Sequence, residues 1–498
     1  MSQYQFVALL LAGIGPVLAL ARLLQVPASL ALFSVGLGSA YLPGLPPIPV
    51  DPQLVLNLFL PPLVYASTVR VSWHLLRITL LPGVVLGAGL VLATIGMVAL
   101  ATYTVLLPGL SLTGTLLLGA VASVFDTRLF HEAEGRPRVP RAIADTLKAR
   151  ELVSRPLILA TLALVVEATA LGRIEAGAVG EAYVLDIAGG IATGIVVGHA
   201  VAWARQRIDP AAVEIAVSVA TPFAAALSAT ALGLSGVAAV TAAALVVSAI
   251  RIDRRTGVPI SSPETRINAT AFWEEASLMV SSALFFLAGR ALPEALEGLG
   301  DWPLWRLATG AAGLLVVVVT VQAAFAYLAT GMRPIAPALA AREGGAGGQR
   351  AAAAAVMAWS STRSVIGLVI ALSLPETLPN GQPFPERDLI LAVAALSIVG
   401  SVVIQGLTLR WAVARAALCD PADARREGNL AREAVGQALG HGSTGSPESF
   451  AEARRALVRL REGDRIGDEV LIGMLRETDL VARASEGDAL PGAGPPNP

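Results

Sequence analysis

Glu151, Arg155 and Pro156 stand together just before a long apolar run, residues 157–171, and Asp126 ends another apolar stretch. An ionised side chain at mid-membrane costs roughly 2.5–3.5 kcal/mol on insertion scales. Charges that enter such segments face a water-filled cavity, a partner charge or a transported ion. A carboxylate there can hold a hard cation or a proton but not both at once, and desolvation raises its pKa toward the working range. That is the chemistry of coupled transport. Arg155 is open to three readings. At i and i+4 it can pair with Glu151 on one helix face, with Asp126 as a second partner. It can belong to an altered transport site, or it can snorkel to the cytoplasmic boundary near Lys148 and Arg150. Pro156 removes the hydrogen bond to the Leu152 carbonyl and biases Arg155 away from helical geometry.

The elements that position these residues belong to a membrane protein. Of 498 residues, 55% are hydrophobic and 15% charged, against about 25% charged in soluble domains. A net charge of −1 gives no sign of a nucleic-acid partner. The single cysteine, Cys419, cannot form an intrachain disulfide, and no zinc spacing exists. No nucleophilic triad, P-loop or metal cage is present, which argues against an enzyme or a primary pump and implies no cofactor. Lys148 is the one lysine, as a GC-rich bacterial genome would produce. Residues 4–20 read as a first membrane helix rather than a signal peptide, because a basic lead-in and cleavage site are missing.

A bilayer core needs about 20 apolar residues per helix, which predicts about 13 transmembrane helices. They fall near 4–21, 27–42, 52–69, 78–101, 111–127, 146–171, 182–204, 212–232, 234–250, 270–292, 304–331, 351–374 and 386–413. Alternate connections hold Arg22; Arg70 and Arg77; Arg128 through Arg150; Arg205 and Arg207; Arg251 through Arg266; and Arg333, Arg342 and Arg350. The others hold only Arg173, Arg290, Arg306 and Arg387. The positive-inside rule then sets the amino terminus outside and the carboxyl terminus in the cytoplasm.

From residue 414 the composition turns soluble, dividing the chain into a membrane domain, 1–413, and a cytoplasmic tail, 414–498. Residues 448–462 and 466–481 read as two short amphipathic helices, 490–498 as disordered, and the glycine run 344–348 as a flexible connector. Two membrane helices carry matching polar interruptions: Phe125-Asp126-Thr127-Arg128 in the fifth, and Ser360-Ser361-Thr362-Arg363-Ser364 in the twelfth. With the seventh helix as linker, these are equivalent positions of two inverted six-helix repeats. Paired interruptions of this kind point to a transporter's binding site.

Several segments resemble the bacterial sodium/proton exchangers of the cation/proton antiporter superfamily, in its NhaP-like branch. Leu60-Pro61-Pro62-Leu63-Val64-Tyr65 is similar to the third-helix LPPLxF motif. Phe272-Trp273-Glu274 with Leu284-Phe285-Phe286-Leu287-Ala288-Gly289 is similar to the tenth-helix FWE…LLFxLIG pattern. Leu372-Ser373-Leu374-Pro375 and Leu378-Pro379-Asn380-Gly381-Gln382-Pro383-Phe384-Pro385-Glu386-Arg387-Asp388 form the most specific match. Val403 through Leu409, and Leu460-Arg461 with Asp468-Glu469-Val470 in the tail, extend it.

The resemblance implies an all-α, 13-helix inverted-repeat homodimer in the bacterial inner membrane. It would exchange protons for Na⁺, Li⁺ or K⁺ by alternating access. The family's ion site joins a Thr-Asp-Pro break in helix five to a Glu-x-x-x-Asn-Asp motif in helix six, with an arginine in helix twelve. Here Asp126 matches the helix-five aspartate, flanked by Phe125 and Thr127 in place of Thr and Pro. Glu151 matches the helix-six glutamate, but Arg155 and Pro156 stand where Asn and Asp are usual. Arg363 matches the helix-twelve arginine, flanked by Ser361 and Ser364, and Ser281 holds the tenth-helix polar position.

Arg155 cannot deprotonate, and at 4 Å it repels a cation by about 4 kcal/mol for an effective dielectric of 20. The resemblance therefore leads to an antiporter with an altered or impaired ion site in which Asp126 and Glu151 bind the ion or proton. The alternative is a transport-inactive scaffold that senses or assembles through its tail. Glu151 and Arg363 read as a pair holding the two repeats. Glu214, Glu274 and Glu275 read as carboxylates at the positive ends of helix dipoles, Glu167 as a solvated helix-end group, and His199 as a hydrogen-bonded helix-end histidine.

Overall fold

The computed structural model describes residues 3–24, 26–42, 55–69, 71, 73–126, 141–171, 176–208, 210–250, 263–299, 302–332, 346–363, 365–374, 376–377, 384, 386–416, 421–440, 446–463 and 465–488. Among them the chain is almost wholly helical. It begins with α1 (Gln3–Leu23), α2 (Ala28–Ala40) and a π-helical turn (Val55–Phe59) that runs into α3 (Leu60–Thr68). Then come α4 (Trp73–Ala101), a second π turn (Thr102–Leu106) and α5 (Leu112–Ser123). A two-residue strand, β1 (Phe125–Asp126), follows. Next are α6 (Arg141–Leu171), α7 (Ala176–Arg205), α8 (Ala211–Ala231), α9 (Gly236–Ala249), α10 (Pro263–Gly298) and α11 (Leu304–Ala329). The series closes with α12 (Ala346–Trp359), β2 (Thr362–Arg363), α13 (Val365–Leu372), α14 (Arg387–Ser401), a third π turn (Val402–Gly406) and α15 (Leu407–Ala416). Three tail helices remain: α16 (Pro421–Gly440), α17 (Pro447–Glu462) and α18 (Asp468–Asp488).

Among the described residues, six spans are long and apolar enough to cross a bilayer: Leu86–Leu106, Val184–Arg205, Ala212–Ala231, Asn268–Gly298, Leu304–Ala329 and Arg387–Leu409. Shorter apolar helices stand beside them, among them Ala28–Ala40, Leu112–Ser123 and Gly236–Ala249. On α7, Val184, Leu185, Ile191, Ile195 and Val196 are exposed, an apolar face that suits lipid rather than water. The helix α6 is long, but its first half carries Arg141, Asp145, Lys148, Arg150, Glu151 and Arg155. Its charges must therefore find partners inside the bundle.

Close packing rests on small residues. A Cβ added at Gly36 of α2 would overlap the Phe286 carbonyl of α10, and one added at Gly289 of α10 would overlap the Phe33 carbonyl of α2. The two backbones approach so closely only because both positions are glycine. Elsewhere α4 packs against α5, α6 and α11, and α11 against α12 and α14. At one end of the bundle, Glu386 accepts hydrogen bonds from the Ser111 backbone N–H (2.6 Å) and Oγ (2.7 Å). Ser111 itself caps α5 by accepting from the Gly114 N–H. The start of α14 is thereby tied to the start of α5.

The all-α reading holds for nearly all of the described residues, and the two interruptions meet in a short antiparallel pair, β1 with β2. Two other expectations are corrected. The expected connector at 344–348 is partly helical, since α12 begins at Ala346. The tail reading misses α16, whose sequence is polar and glycine-containing. Its Ala431 and Val435 become apolar contacts only by packing with Leu457, Ile466 and Met474. The expected disordered end, 490–498, lies outside the described residues.

Candidate functional site

Helix α5 stops at Ser123 because Val124 turns to extended backbone (φ −72°, ψ 125°). Helix α12 stops at Trp359, and α13 resumes at Val365. The two interruptions meet: Phe125 pairs with Arg363, and Asp126 with Thr362. The matching breaks found in sequence are thus brought into direct backbone contact, and α6 packs alongside α5.

Helix α6 supplies the charged side chains. Glu151 is 8% exposed and Arg155 5% exposed; the Arg155 Nη2 donates to Glu151 Oε1 in an i,i+4 ion pair. The Arg155 Nη1 donates to Ser67 Oγ near the end of α3, and Ser67 donates on to the Val64 carbonyl at 2.9 Å. Of the three readings of Arg155, snorkelling is excluded by this burial, and the ion pair forms. Pro156 lies inside α6, which continues through it to Leu171. Its cost is one missing donor, not a break.

Arg150 is the residue that sequence reasoning missed. Counting it among basic loop residues placed it at the cytoplasmic surface, yet it is 2% exposed. Its guanidinium carbon lies 4.1 Å above the centre of the Phe125 ring, and its Nη2 donates to Ser361 Oγ. Ser361 in turn donates to the Met357 carbonyl at 2.7 Å. Arg150 therefore touches both interruptions, one through a ring and one through a hydroxyl. Among the described residues it makes no ion pair, and its Nε has no hydrogen-bond partner. The hydroxyls of Ser360 and Thr68 are likewise buried without a partner. Phe125, a departure from the family pattern, is accounted for here: it offers a π face to a buried cation.

The remaining candidates fall out as follows. The pairing places Asp126 and Arg363 by backbone; the expected Glu151–Arg363 and Asp126–Arg155 pairs turn on side chains outside the described set. Thr127 and Ser364 lie outside the described residues, as does the side chain of Glu167. Ser281 is half-buried on α10, which packs against α13 and α14. Glu214 stands in the first turn of α8, as the dipole reading has it, and is also buried in an ion pair, its Oε1 accepting from Arg205 Nε at 2.7 Å. Glu274 and Glu275 are exposed and stand well past the first turn of α10, too far along for the helix dipole to favour them. His199 Nδ1 lies 2.8 Å from the Ile195 carbonyl.

A family profile described as "Sodium/hydrogen exchanger, transmembrane" matches residues 6–415. An uncharacterized Na(+)/H(+) exchanger of Mycobacterium tuberculosis is 31% identical over 373 residues, 73% of this chain and 66% of the relative. The chain thus spans just under two thirds of that relative's length. The Na(+)/H(+) antiporter ApNhaP of Aphanothece halophytica is 27% identical over 427 residues, covering 84% of this chain and 75% of the relative. The solved sodium proton antiporter MjNhaP1 of Methanocaldococcus jannaschii superposes with a TM-score of 0.63 at 15% identity, over 84% of this chain and 99% of that one. That likeness speaks for the fold.

Proposed function

Because the chain belongs to the sodium/hydrogen exchanger family, we propose that it is a membrane antiporter exchanging a monovalent cation, Na⁺, Li⁺ or K⁺, for protons by alternating access. The meeting of the two helix breaks against the buried Arg150 of α6, next to Glu151, carries this reading, since unwound backbone at a repeat interface is where transporters bind ions. Asp126 is the exchanging carboxylate; Glu151 is held by Arg155. The reading includes about 13 crossings in two inverted repeats, an outer amino terminus, a cytoplasmic tail, a homodimer in a bacterial inner membrane, and no enzymatic step.

A second reading, a transport-inactive scaffold acting through its tail, is favoured by a specific observation. Arg155 and Pro156 put a buried guanidinium and no carboxylate where the family carries Asn-Asp, and α18 of the tail packs against α10. Purified protein in proteoliposomes with an internal pH dye separates the two. Cation-driven proton movement that disappears in Asp126→Asn supports exchange at this site; wild-type rates in that variant exclude it. Restoring Asn-Asp at 155–156 is expected to strengthen sodium- or lithium-dependent exchange. No flux in either the natural or the restored chain favours the scaffold.

A further inference from the structure

We propose that Arg150 is a built-in cation, its guanidinium fixed where the two broken helices would otherwise attract a free alkali ion. The carbonyl end of a helix carries roughly half a negative charge. Two such ends come together here, α5 running out at Ser123 and α12 at Trp359, with the extended segments beyond them paired. Arg150 contacts the residue two places past each end: Phe125 after α5, through the ring at 4.1 Å, and Ser361 after α12, through a hydrogen bond. No carboxylate pairs with it among the described residues. The buried carboxylate of Glu151, next to it on α6 and held by Arg155, acts on it through space together with the two helix ends.

The same place is otherwise furnished for a hard cation. Ser360 Oγ is fully buried and without a partner, Ser361 Oγ adjoins it, and carbonyls in the last turn of α12 accept from Ser360 N, Ser361 N and Ser361 Oγ instead of from a further helical turn. Hydroxyls and unwound carbonyls of this kind coordinate alkali ions in transporters. With the guanidinium in place, an arriving Na⁺ or K⁺ meets a like charge in a region of low dielectric. Cation binding at the crossing thus requires that Arg150 move aside, or be absent.

This inference rests on reading the crossing as the ion site, but it concerns occupancy rather than flux. The experiment is thermal unfolding of the purified full chain in detergent, with NaCl, LiCl or KCl titrated against choline chloride at constant ionic strength. The natural chain is expected to shift only at far higher alkali concentrations than Arg150→Gln. Arg150→Gln is expected to start from a lower unfolding temperature and to regain about 2–4 °C, saturably, with an alkali cation and not with choline. Arg150→Lys keeps the charge and is expected to behave as the natural chain does. A natural chain that responds at the same alkali concentration as Arg150→Gln overturns the proposal, as does an Arg150→Gln protein that ignores alkali cations. Should Arg150→Gln fail to fold, Arg150→Met fills similar space without the charge, and the absence of any alkali response there overturns the proposal equally. Flux with no change in occupancy sinks this inference alone; an alkali response in Arg150→Gln without flux sinks only exchange.

Discussion

Two of the buried arginine–carboxylate pairs among the described residues do different work. In the tail, Arg454 of α17 donates to Asp479 of α18 at 3.0 Å, joining helices that only the fold brings together. At the crossing, Glu151 and Arg155 lie one turn apart on α6, and their pair joins nothing by itself. Its tertiary reach comes from the second arm of Arg155, which bonds Ser67 of α3. The tail pair closes a small soluble bundle around Ala431, Leu457 and Ile466. The crossing pair leaves buried donors unmet, the Nε atoms of Arg155 and of its neighbour Arg150. The tail pair joins two helices of a soluble bundle, whereas the unmet donors at the crossing lie in an apolar bundle, where each costs more.

Breaking each pair in turn tests that contrast. Glu151→Gln strands a buried guanidinium, which should cost about 3–5 kcal/mol. Its unfolding temperature should fall furthest, and Glu151→Gln with Arg155→Met should recover part of the loss; strictly additive losses would show that the two do not interact. Asp479→Asn should also destabilise, by about 2–4 kcal/mol, but in the tail alone. Limited proteolysis should cut α16–α18 first while proteoliposome flux stays at the natural level; a flux defect of equal size would erase the distinction. Ser67→Ala removes one hydrogen bond to a charged group, worth about 1.5–3 kcal/mol, and calorimetry should place its shift below both of the others.

The smallest effect is expected at Glu452, on the exposed face of α17. A hydrogen bond from Arg459, and the charges of Arg455 and Arg459, hold its carboxyl below the usual value of 4.5. A depressed folded pKa adds stability above the unfolded value and loses it as pH falls through the folded one. Tail melting should therefore soften only on the acid side of about pH 4.5, and Glu452→Gln should flatten that dependence. Softening at neutral pH would assign the effect to another group.

The local patterns were legible because they are properties of short segments. The apolar runs, the i,i+4 spacing of Glu151 and Arg155, and the matching interruptions at 125–128 and 360–364 each follow from residue types and helical period. What was misread depended on neighbours distant in sequence. Arg150 looks like a loop residue because it follows Lys148 near a basic stretch; its burial comes from Phe125 and Ser361. Glu214 was rightly put in a first helical turn, but its ion-pair partner was missed because Arg205 lies across a turn on another helix. Helix α16 was overlooked because its apolar face is built of alanine and valine, too weak a stripe until other helices cover it.

Composition alone determined that this chain lives in a lipid bilayer, since so apolar a sequence has few other ways to satisfy its surface. Motif spacing determined its family. Only the tertiary structure decided that the two breaks pair with each other, that Arg155 turns inward, and that a second buried arginine stands between the helix ends. The physical reason is that hydrophobicity and helical period act over neighbouring residues and are written along the chain. Charge compensation in a low-dielectric interior depends on what stands within a few ångströms, and the fold alone chooses that company.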